Sequence, residues 1–97
     1  MSEVRKKQPV PAAAALRYRA SQQDSPRLTA KGRGVVAEKI LALARQSDVP
    51  VLYQPKLLEL LMSVEVEEPI PEAAFEAVSE IYAFLIEMDE NYARVLK

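Results

Sequence analysis

The chain has 97 residues, of which 49% are apolar and 28% charged, the balance of an ordinary globular domain with one modest core and no room for a second. It contains neither histidine nor cysteine, which removes disulfides, thiolate and Ser/His/Asp catalysis and every imidazole or thiolate metal ligand. The formal net charge is only −1, yet residues 1–45 hold ten Lys/Arg against three Asp/Glu while residues 46–97 hold three against eleven, so the two halves are oppositely charged.

Residues 1–11 are basic and interrupted by Pro9 and Pro11. They read as an irregular N-terminal tail and not as a signal peptide, because Arg5, Lys6 and Lys7 lead into prolines and not into an apolar run. The sequence AAAALRYR, residues 12–19, is open to helix through its alanines, but alternation of Leu16 and Tyr18 with Arg17 and Arg19 favours a strand with one buried face. ASQQDSP, residues 20–26, collects turn formers and closes on Pro26. A second short strand is expected over Arg27–Lys31, stopped by Gly32 and Gly34. Lys-Gly-Arg-Gly matches no phosphate-binding fingerprint in length or order and reads as a backbone turn.

VVAEKILALARQS predicts an amphipathic helix with Val36, Ile40, Leu43 and Ala44 inward and Glu38, Lys39, Arg45 and Gln46 outward. Val49–Tyr53 lacks polar alternation and predicts a buried strand. Pro55 opens a further helix with Leu57, Leu58, Leu61 and Met62 as its apolar positions. After the acidic loop around Glu65, Glu67 and Glu68, a last helix is expected from about Pro71, with Phe75, Val78, Ile81, Tyr82 and Leu85 on its inner face and Glu72, Glu76 and Glu80 on the other. The domain is placed at residues 12–88, with 89–97 as a C-terminal tail or helix extension. The fold class that follows is α/β (α+β): a small mixed sheet of about three strands with three to four helices around it.

The longest apolar run, Ile81–Ile86, is far short of the about 20 residues a membrane-spanning helix needs. The scattered basic residues Arg17, Arg19, Arg27, Lys31 and Arg33 come without an aromatic stacking platform. Two readings from the residues alone stay open beside a protein-binding module: a nucleic-acid-binding module with salt-dependent affinity, and an enzyme working through paired carboxylates. The missing residue types argue against the enzyme, and no metal or cofactor is expected.

The order ALRY, Ser25-Pro26, Ala30-Lys31-Gly32, an amphipathic helix, VPVLYQP, LLELL and Ile70-Pro71-Glu72 resembles the C-terminal cytoplasmic domain of the flagellar export protein FlhB, which the injectisome proteins YscU and SpaS share. The likeness runs from residue 8 to about 88. In that family the chain cuts itself between the asparagine and proline of an Asn-Pro-Thr-His motif. The corresponding positions here are Gln8, Pro9, Val10 and Pro11. Cleavage needs the asparagine amide nitrogen to close a five-membered imide on its own carbonyl. Gln8 would have to close a six-membered ring, and Pro11 offers no imidazole, so the resemblance implies a degenerate, uncut motif.

Family members also carry membrane-spanning helices before this motif, and the stretch just before it adds a strand to the sheet. The resemblance therefore implies a stand-alone counterpart of the fragment left after cleavage, acting in the cytoplasm or at the periphery of the membrane-embedded export gate. Its implied partners are the N-terminal portion of FlhB, export substrates, other gate proteins, or a second copy docking at an open edge of the 12–19 strand. Candidate contacts are Ser25, Pro26, Ser79 and Tyr82, although Tyr82 also fits a partly buried core aromatic.

Overall fold

The computed structural model describes residues 10–19, 26–83 and 91–97. Strands β1 (Ala12–Arg19) and β2 (Arg27–Arg33) are followed by helix α1 (Val35–Gln46), strand β3 (Val51–Leu52), helices α2 (Pro55–Met62) and α3 (Glu72–Ala83), and strand β4 (Asn91–Leu96). The four strands form one mixed sheet in the order β2-β1-β4-β3, with β1 antiparallel to both β2 and β4, and β3 parallel to β4.

β1 is a strand despite its four alanines because its side chains alternate between two cores. Ala13 and Val95 face α1 together with Ala37 and Ala44. Ala14, Leu16, Leu28 and Leu96 face α2 and α3, where Leu57, Leu58, Leu61, Ala74 and Val78 complete the larger cluster. Small residues on β1 let helices approach both faces of the sheet closely, which a helix carrying the same alanines would not exploit.

β2 runs two residues beyond the expected Lys31, and Gly32 lies within it. A Cβ at Gly32 would stand 2.6 Å from Cβ of Val36, so this glycine is there for the close approach of α1. Gly34 turns the chain with φ 62° and donates its N–H to the Pro11 carbonyl at 2.8 Å. Between Ala15 and Leu16 the β1–β2 register shifts. Thr29 takes up the extra position and its hydroxyl donates to the Ala15 carbonyl at 3.2 Å.

Four expectations are corrected. The inner stripe of α1 is Ala37, Ile40, Leu41 and Ala44; Val36 and Leu43 are 51% and 63% exposed. On α3, Ala74 and Val78 are buried with Ile81 packed against them, while Phe75 is 47% exposed. Residues 91–96 are neither tail nor helix extension but β4, in the interior of the sheet. The strand expected over Val49–Tyr53 shortens to Val51–Leu52, half-buried and not sealed on both sides.

β4 also corrects the expectation that β1 presents an open edge. It pairs along six residues of β1, from Ala14 opposite Leu96 to Arg19 opposite Asn91. The true edges are β2 and the two-residue β3. Beside β2, residues 62–69 close in: the Glu67 N–H donates to the Leu28 carbonyl at 2.7 Å, Arg27 bridges to Pro69 and donates its guanidinium to the Glu67 carbonyl, and Lys31 Nζ donates to the Met62 carbonyl at 2.8 Å. Such cover protects an edge from stray pairing.

Candidate partner-binding site

Of the four positions that the resemblance sets against the cleavage motif, Val10 and Pro11 lie among the described residues, immediately before β1. Both are exposed. The Gly34 hydrogen bond fixes Pro11 against the end of β2, and Ala12 pairs with Arg33. Across the sheet the same end carries Lys97, whose carbonyl accepts the Gln54 N–H at 2.8 Å. Together with Tyr53 and Leu58 these residues line a cleft of about 610 Å³. Tyr53 is 75% exposed. It follows β3 directly and precedes Pro55 at the first turn of α2, so backbone constraints on both sides hold it at the rim.

Chemically the cleft offers an exposed aromatic ring, prolines, the cations of Arg33 and Lys97 and the carboxylate of Glu59. Among the described residues no group of three or more acidic side chains is placed to hold a metal ion. No described helix is long and apolar enough to cross a membrane; the longest, of 12 residues, span about 18 Å.

The sequence-predicted contacts are not gathered at this cleft. Pro26 is buried and precedes the opposite end of β2, which a seven-residue strand places about 20 Å away. Ser79 is partly buried on α3, and Tyr82 belongs to the last turn of the same helix. Gln8, Pro9 and Ser25 lie outside the described residues. Tyr53, Arg33 and Lys97 were not singled out by the sequence. A lone tyrosine between a strand and a helix-opening proline is the signal that marks the first of them.

The described residues form a mixed four-stranded sheet with helices on both faces, the fold class that the resemblance to the export family implies. The sequence model of the FlhB HrpN YscU SpaS family matches residues 7–85, and the chain belongs to that family. It is 37% identical over 83 residues to the uncharacterized protein YlqH of Bacillus subtilis (strain 168), covering 86% of this chain and 89% of that protein. It is also 35% identical over 79 residues to the flagellar biosynthetic protein FlhB of Aquifex aeolicus (strain VF5), and 35% identical over 79 residues to the hypersensitivity response secretion protein HrcU of Ralstonia nicotianae. Those alignments take in 80% and 78% of this chain but only 23% and 21% of the two longer proteins. The chain thus matches YlqH nearly end to end and the export proteins over less than a quarter of their length. Family membership points to a role connected with flagellar or type III protein export.

Proposed function

We propose that this protein is a non-enzymatic binding module of the type III export apparatus that stands in for the cleaved C-terminal fragment of FlhB, in reception of export substrates or in switching between substrate classes. The observation that carries the reading is the coincidence of a family match over residues 7–85 with near end-to-end likeness to YlqH, a protein of the same small size. The replacement of the cleavage tetrad by Gln8-Pro9-Val10-Pro11 supports a chain that does not cut itself. Its working surface is the cleft around Val10, Pro11 and Tyr53, with Ser25, Pro26, Ser79 and Tyr82 as the further contacts the family resemblance implies. It acts in the cytoplasm or against the cytoplasmic side of the gate.

The test is capture by membranes that contain the membrane-embedded portion of FlhB without its own cytoplasmic domain. Retention of this chain that is lost with Tyr53→Ala, in membranes matched for protein content, is the expected result. Equal recovery on membranes with and without that portion would refute it.

A further inference from the structure

The two faces of the sheet are of opposite electrical character. On one face α1 packs over Ala13 and Val95 and leaves the neighbouring stretch, Ala15, Ala30 and Ala93, only half-covered. Between these alanines and Ile40 and Leu43 of α1 runs an apolar groove of about 260 Å³. Leu43, at its rim, is 63% exposed. The register shift between Ala15 and Leu16 falls within the groove, an irregularity of the kind that reshapes a sheet face locally. Arg17 stands exposed beside it, and the described residues that line it include two arginines and no carboxylate.

The other face is covered by α2 and α3. Residues 57–93 hold ten Asp/Glu and no Lys/Arg. Glu72, Phe75, Glu76 and Ser79 share one face of α3 by their spacing of three and four. Phe75 is 47% exposed and both glutamates are exposed. One side of the molecule thus presents an apolar groove beside a cation, and the far side an aromatic ring between carboxylates.

We propose that copies of this chain stack head to tail, α3 of one copy lying against the α1 face of the next, with Phe75 entering the groove beside Leu43 and with Glu72 and Glu76 facing Arg17. The occupant is a second copy because the chemical complement of the groove is displayed by the same molecule on its opposite face. Like charge on each face opposes the pairing of two α1 faces or of two α3 faces and favours the mixed contact. Such a contact joins two different surfaces, so each end of a pair keeps one of them free and assembly continues past the dimer.

Sedimentation of the full chain tests this directly. The average mass should rise with concentration past that of a dimer; a monomer at every concentration up to about 1 mM overturns the proposal. In about 1 M salt, where charges are screened beyond about 3 Å, the association constant should fall several-fold, and an unchanged constant would overturn the charge pairing. Leu43→Glu spoils the groove and Phe75→Glu spoils the helix face, both at exposed positions. Each variant alone should be monomeric, while an equimolar mixture should form pairs and nothing larger, because the intact helix face of the first meets the intact groove of the second. Variants that assemble like the parent chain, or a mixture that stays monomeric, would overturn the head-to-tail contact.

Discussion

Leu96→Ala should be among the most damaging single truncations in the molecule. Leu96 is fully buried and packs in the larger core with Ala14, Leu16, Leu28 and the leucines of α2. Removing its isopropyl group forfeits about 2.4 kcal/mol of transfer free energy, at about 0.8 kcal/mol per methylene-sized group. A cavity between sheet and helices adds to this, for a total of about 3–5 kcal/mol. For a domain of this size, stable by about 5–10 kcal/mol, that is a large share. With a urea dependence of about 1.5 kcal/mol per molar, the midpoint should fall by about 2–3 M. The assay is equilibrium urea unfolding followed by far-ultraviolet circular dichroism, with Leu43→Ala as the control. Leu43 is 63% exposed, so its truncation should change the stability by no more than about 0.5 kcal/mol. Residues 91–96 acting as a loose tail would make the two substitutions equally mild, and that result would refute the placement of β4.

Gly32→Ala should destabilise the protein by about 1–3 kcal/mol through overpacking against Val36; a melting temperature unchanged from the parent protein would show that α1 does not lie as close to β2 as the structure has it. Intact mass of purified protein should correspond to an unbroken chain after prolonged incubation at neutral pH. A fragment pair split between Gln8 and Pro9 would show that the six-membered route is open after all.

The strands and helices that lie close to one another in sequence were legible, and the one that pairs at long range was not. β1 declared itself through the alternation around Leu16 and Tyr18, and α2 through Pro55 followed by Leu57, Leu58 and Leu61, all three buried as their spacing requires. α1 and α3 were legible as helices, with Ile40, Ala44, Val78 and Ile81 inward as expected, but Val36, Leu43 and Phe75 were misplaced. Small residues, Ala37, Ala44 and Ala74, occupy the inward positions, and the larger neighbours Val36, Leu43 and Phe75 face outward. A pattern weighted by side-chain size misplaces part of the stripe when close helix–sheet approach demands alanine.

β4 was hidden for two reasons. Its apolar pair, Val95-Leu96, follows an acidic stretch that reads as the end of a helix, and its partners in β1 lie about 80 residues away. Nothing local in a six-residue segment reports pairing at that distance. The candidate site was legible only in part: the prolines up to Pro11 mark where β1 begins, while Tyr53, Arg33 and Lys97 join it solely because the sheet brings three chain segments to one end.

The measurement that bears most directly on the proposed role is export in a flagellated strain whose FlhB retains its membrane portion but lacks the cytoplasmic domain, supplied with this chain from a plasmid. The account predicts that secretion of flagellar export substrates into the medium returns, and that Tyr53→Ala chains accumulated to the same level restore markedly less. Secretion that stays at the level of the empty plasmid, with the intact protein present in normal amounts, would contradict it.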